Sequence, residues 1–190
     1  MPKQRVFIVH RWDGSPEEPM NEWLENELNN QYFDALALHM PRPDEPMIED
    51  WVEHLSQAVG KLDSKTYFIG HSIGCQTIMR YLERQKTACG GAVFIAGWFT
   101  LQGLEDAESE RIATPWLETE INLEKVRRNL PHLTAIFSDN DSFVQLSDKE
   151  IFKATLDAHV IVEHDKGHFT EDDGALKNET ALSELLRIAK

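Results

Sequence analysis

Along the chain, short apolar runs alternate with segments whose apolar residues recur every three or four positions. The runs are Arg5–Val9, Phe33–Leu38, Thr66–Ile69, Ala92–Ala96, Leu133–Phe137 and His159–Val162, rich in β-branched and aromatic side chains. Short continuous runs of this kind predict strands of a parallel sheet covered on both faces. The segments between them carry helical spacing. Pro19–Asn29 aligns Met20, Trp23, Leu24 and Leu28 on one face, and Ile48–Val59 aligns Trp51, Val52 and Leu55. Further helices are predicted over Ile73–Arg84, Leu117–Leu130, Ser147–Leu156 and Gly174–Lys190. The rhythm predicts an α/β fold, a doubly wound, mostly parallel six-stranded sheet with helices on both faces and right-handed crossovers. Asp13–Pro19 and Pro41–Pro46 follow strand ends, where such folds place their sites. Gly97–Pro115 is the longest stretch without a clean period and reads as a pocket cover or an ordinary long loop.

The length of 190 residues fits one domain, residues 1–190, with enough buried surface to need no disulfide or metal for its core. No repeat, low-complexity segment or Gly/Ser-rich linker divides it. Asp and Glu number 33 against 19 Lys and Arg, a formal net charge of -14. Nucleic-acid binding rests on cations that neutralise phosphates, so it is disfavoured, and docking on anionic lipid is disfavoured with it. No apolar run approaches the ~20 residues of a membrane span. The first residues lack the apolar core and cleavage site of a secretory signal. Two cysteines, Cys75 and Cys89, make neither a disulfide framework nor a zinc set. These features predict a soluble cytoplasmic protein, and nothing in the sequence sets its oligomeric state.

Gly70-His71-Ser72-Ile73-Gly74 is the most informative stretch, because it closes a predicted strand and opens a predicted helix. A serine at the tip of so tight a turn stands above the strand ends, and neighbouring chain leaves no room for side chains at the two glycines. The Ile73 amide lies free at a helix N-terminus, where it can stabilise an oxyanion. A serine hydroxyl needs a base, and candidates follow in the chain order serine, carboxylate, histidine. The loop after the fifth strand carries Asp139 and Asp141, and the loop after the sixth carries His164 and His168. His168, preceded by Gly167, is the predicted base, and Asp141 the predicted orienting carboxylate, with Asp139 its competitor. The four-residue spacing of His164 and His168 would suit a metal only on a helix; a strand-end loop predicts no metal. This chemistry needs no cofactor. His71, Trp12 and Trp98 are candidate walls of a substrate pocket, with structural packing the competing role for each. Cys75 reads as a buried small hydrophobe.

With the Gly-His-Ser-Ile-Gly elbow, the carboxylate loop and Gly167-His168-Phe169 in order, the chain resembles an α/β-hydrolase. More narrowly, it resembles the small serine hydrolases related to retinoblastoma-binding protein 9. The likeness covers nearly the whole chain. It takes in His10, Trp12 and Gly14-Ser15, Met40-Pro41 with Trp51 beyond, Gly97-Trp98, and Ser138 to Val144. The resemblance implies a minimal hydrolase with no large lid domain. It favours Asp141 over Asp139, and it implies esterase-like activity on small acyl esters. Many relatives carry His-Gly after the first strand, where this chain has His10-Arg11. In them the amide after that glycine is the second oxyanion donor, which maps onto Trp12. A positive φ at position 11 would strain Arg11 by ~1 kcal/mol or more; an ordinary backbone would let its side chain reach the pocket mouth.

Other readings compete. A hydrolase fold with faded catalysis could serve as a binding module, but the complete Ser72, Asp141 and His168 set argues against it. Amidases, peptidases, thioesterases and acyltransferases use the same triad. The acidic loops around the predicted site disfavour polyanionic coenzyme A esters and suit small neutral ester substrates. No G-x-G-x-x-G follows the first strand, so a dinucleotide cofactor is not expected.

Overall fold

The computed structural model describes residues 3–104 and 106–190. Six strands, β1 (Arg5–Val9), β2 (Asp34–Ala37), β3 (Thr66–His71), β4 (Gly91–Ile95), β5 (Leu133–Ser138) and β6 (His159–Glu163), form one sheet in the order β2-β1-β3-β4-β5-β6. Every pairing is parallel. The helices are α1 (Pro19–Asn30), α2 (Ile48–Val59), α3 (Ile73–Glu83), α4 (Ala107–Glu118), α5 (Leu123–Asn129), α6 (Asp148–Leu156) and α7 (Glu179–Ile188). The chain runs from β1 outward to β2 and then back past β1 to β3. Right-handed crossovers in opposite directions put α1 and α2 on opposite faces. Accordingly α1 packs with α7, while α2, α3, α5 and α6 pack in series on the other face.

The interior strands β3, β4 and β5 are buried along their whole length, whereas the edge strand β2 alternates exposed and buried residues. Burial on both faces explains why the interior strands read as continuous apolar runs. Trp51 of α2 is fully buried, edge-on to His10 and to Trp116 of α4, with ring centroids 5.4 and 6.2 Å away. Buried indoles need a partner for the N–H. Trp51 donates to Pro41 O at 2.7 Å and Trp116 to Pro46 O at 2.9 Å, which pins the 41–46 loop over the strand ends.

The structure corrects the pattern in two regions. The helix predicted over Leu117–Leu130 is two helices, and the first, α4, begins inside the stretch read as patternless. Asp106 caps α4 by accepting from Ser109 N at 2.8 Å, and Asn122 caps α5 by accepting from Lys125 N at 3.0 Å. Only Ile112, Ala113 and Trp116 of α4 are buried. So narrow an apolar stripe, with Pro115 inside it, gives little helical period. The last helix begins at Glu179 rather than Gly174, with Asn178 as its cap. Among the described residues no helix is long and apolar enough to cross a membrane.

Candidate active site

The strand order reverses between β1 and β3, and such reversals open a crevice at the carboxyl ends of the strands. There β3 passes into α3 through Ser72, whose backbone has φ 52° and ψ -115°. For a residue other than glycine this left-handed conformation costs ~1–3 kcal/mol. It is held by the Ser72 N–H donating to Ile95 O at 2.9 Å and by Cys75 N–H donating to Ser72 O at 3.0 Å. The flanking glycines permit the turn. A Cβ on Gly70 would lie 2.8 Å from Cys75 N, and one on Gly74 would run into the carbonyl oxygen of Val9. Alanine at position 74 would gain ~1 kcal/mol in helix propensity, but overpacking against main chain costs about 1–3 kcal/mol. Gly74→Ala is therefore expected to lower the urea midpoint; an unchanged or raised midpoint would show that α3 slides away from β1 freely.

The loop after β5 brings Asp141 into the interior, with its side chain 2% exposed. Its Oδ1 accepts from Phe143 N at 2.8 Å and Val144 N at 3.0 Å, and its Oδ2 lies 2.8 Å from His168 Nδ1. The loop after β6 carries His168. Gly167, at φ 54°, turns it, and Asp173 accepts from His168 N at 2.9 Å. Burial alone would raise the Asp173 carboxyl; hydrogen bonds from Thr170 and His168, with the nearby His168 imidazole, hold it below its ordinary range. His168 and Ser72 both face a cavity of about 800 Å³, and no hydrogen bond joins them among the described residues.

The other candidates fall into two groups. Arg11, Trp12, Ile73 and Trp98 all line this cavity. Arg11 has no left-handed backbone; the positive φ of that loop is at Asp13, 53°. The Arg11 guanidinium is paired with Glu18 at 2.7 Å. His10 Nδ1 donates to Arg11 O at 2.7 Å while its Nε2 accepts from Met40 N at 3.3 Å. Burial lowers the His10 imidazole, which keeps it neutral for this double role. Because a trans peptide is planar, fixing Arg11 O on one side aims the Trp12 N–H to the other. Neither Trp12 N–H nor Ile73 N–H has a partner among the described residues. His71 lies beneath the cavity rather than on its wall. Its Nε2 donates to His168 O at 2.8 Å, its ring packs 5.3 Å from that of His168, and burial holds it well below the usual imidazole range. Cys75 is buried, and burial pushes its thiol far up, which makes it unreactive.

Several polar residues that support the site carry no local signal in the sequence. Asp148, at the start of α6, is 1% exposed and accepts from Phe99 N, Thr100 N and Thr100 Oγ1 at 2.6–2.8 Å, clamping the loop after β4. Gln76 donates to Trp98 O at 2.7 Å, and Arg80 donates to Trp116 O and Thr119 O, each at 2.8 Å. A buried cation at the last carbonyls of α4 suits the helix dipole and ties the cavity cover to α3. Isolated polar residues inside apolar helices leave no local pattern to find.

Asp139 pairs instead with His164, on the surface. Its other oxygen accepts from Asp165 N at 3.0 Å, so the pair joins the β5 and β6 loops. The His164 bond is the main reason the Asp139 carboxyl is lowered, and the Asp139 bond the main reason the His164 imidazole is raised. A raised imidazole stabilises the fold below its unfolded value of 6.5, and the gain is lost as pH rises through the folded value. A lowered carboxyl contributes above its unfolded value and loses that as pH falls through the folded one. The brace is thus strongest in mildly acidic solution, and its exposure keeps it small. The gap in Tm between the parent and His164→Gln is expected to be widest near pH ~5 and to close by pH ~8.5; a gap independent of pH would contradict this.

The family model described as serine hydrolase matches residues 6–186. YdeN of Bacillus subtilis is 30% identical over 177 residues, covering 90% of this chain and 88% of that protein. The serine hydrolase RBBP9 of Rattus norvegicus is 28% identical over 159 residues, covering 83% and 77%. The crystal structure of the B. subtilis ydeN gene product superposes with a TM-score of 0.89 at 26% identity, covering 98% of each chain. The parallel sheet, the strained serine turn and these matches converge, and the chain belongs to the serine hydrolase family with an α/β-hydrolase fold.

Proposed function

We propose that the protein hydrolyses small carboxylic esters through a Ser72–His168–Asp141 triad. The observation that carries the reading is the buried Asp141–His168 hydrogen bond opening onto the cavity that Ser72 faces. Asp141 holds the Nδ1–H tautomer of His168, which leaves Nε2 as the base. Ser72 Oγ attacks the ester carbonyl as His168 takes its proton, and the Ser72–His168 contact tightens as substrate fills the cavity. The N–H groups of Ile73 and Trp12 receive the oxyanion. His168 then protonates the departing alkoxide, leaving an acyl-Ser72. Water, deprotonated by the same imidazole, attacks that acyl group and releases the acid and the free serine.

Trp98, Leu101, Ile112 and Trp116 give the cavity an apolar wall suited to an acyl chain. The test is a series of p-nitrophenyl esters with the matching p-nitroanilides. Turnover of short-chain esters in preference to anilides is expected. Protein that turns over anilides as readily as esters, or neither, would overturn the reading.

A further inference from the structure

The cavity carries more negative charge than ester hydrolysis uses. Asp13 and Asp44 lie exposed on its wall, and neither carboxylate makes an ion pair or hydrogen bond among the described residues. They come from separate loops that main chain stitches together. Asp13 N donates to Pro43 O at 2.7 Å, and Trp12 Nε1 donates to Asp44 O at 3.0 Å. Two unpaired carboxylates are therefore held near one indole that itself lines the cavity. Arg11, the arginine on this wall, is neutralised by Glu18 at 2.7 Å. Asp106 and Glu108 add further negative charge, although Asp106 caps α4 and Glu108 pairs with Arg111. Ser72, 7% exposed, turns a hydroxyl with no hydrogen-bond partner among the described residues into the same cavity, which marks it as the place a substrate sits.

A cleft of one charge sign between apolar walls concentrates the opposite charge, and an indole adds attraction for an ammonium ion. We infer that Trp12, Asp13 and Asp44 form a cation subsite, and that the preferred substrates are esters bearing an ammonium group. This rests on the hydrolase reading and deepens it from small neutral esters to cationic ones.

The test compares butyrylcholine with the ester in which tert-butyl replaces trimethylammonium. A second arm puts the charge on the acyl side, with ethyl 4-(trimethylammonio)butyrate and its own tert-butyl isostere. The expected kcat/KM ratio of charged to uncharged substrate is about tenfold or more in at least one arm at low salt. It should fall severalfold in 0.5 M salt, where screening is strong. Asp13→Asn with Asp44→Asn should bring it near one, whereas Glu53→Gln with Glu150→Gln, equal in charge but remote, should not. Binding of the same pairs to Ser72→Ala protein, followed by tryptophan fluorescence, gives the ratio of Kd values without turnover. Absence of turnover with a charged preference in Kd would refute the hydrolase reading and keep the subsite. Ratios near one in both arms, by either measurement, would overturn the subsite.

Discussion

Ser72→Ala is expected to lower kcat on p-nitrophenyl butyrate by roughly ten-thousandfold or more. The substitution removes one oxygen and little else. Alanine meets the same backbone cost at φ 52° that serine does, and among the described residues the Ser72 hydroxyl has no hydrogen-bond partner to lose. The fold should therefore keep its parent Tm to within the change of about 0.5 kcal/mol usual for a contact-neutral substitution. An activity loss with unchanged Tm places the effect in the chemistry. Residual activity within tenfold of the parent would assign hydrolysis to another group.

Asp141→Asn should cost nearly as much, roughly a thousandfold to ten-thousandfold in kcat. The reason lies in which oxygen does what. Oδ1 accepts from two main-chain N–H groups, at 2.8 and 3.0 Å, and those donors would hold an asparagine with its oxygen in that place. The amide nitrogen would then take the position of Oδ2 and point N–H at His168 Nδ1. The imidazole would shift its proton to Nε2, where it can no longer accept one from Ser72. Asp139→Asn breaks only the exposed brace to His164 and is expected to leave kcat within a fewfold. The two variants side by side separate a buried orienting pair from a surface one of the same chemistry. Equal losses in both would mean that loop geometry, not tautomer control, limits the rate.

The strands were legible because a parallel strand buried on both faces has to be almost wholly apolar, as Ala92–Ala96 is throughout and Leu133–Phe137 is but for Thr134, whose hydroxyl is paired with Glu184. The tight turn at Ser72 was legible because it demands glycines on either side, and the loop that carries His168 because Gly167 and a strand end precede it. The α4 cover was not, since it buries only three residues and its start depends on a single aspartate cap. Asp148, Gln76 and Arg80 were silent for a related reason: each acts on a main-chain group far along the chain. Asp173 did leave a trace, as Thr170 three residues before it forms a reciprocal side-chain to main-chain pair with it. The notion of strain at Arg11 failed because His10 and Gly14 together hold its carbonyl with an ordinary backbone, and the turn falls two residues later at Asp13.

Reaction with a fluorophosphonate, followed by mass spectrometry of the intact protein and its peptides, tests the central claim most directly. Stoichiometric loss of fluoride with one phosphonyl adduct, mapped to Ser72 and slowed at least a hundredfold by His168→Ala, is the result expected of a serine activated by that imidazole. An unmodified Ser72, or labelling that proceeds as fast without His168, would contradict it.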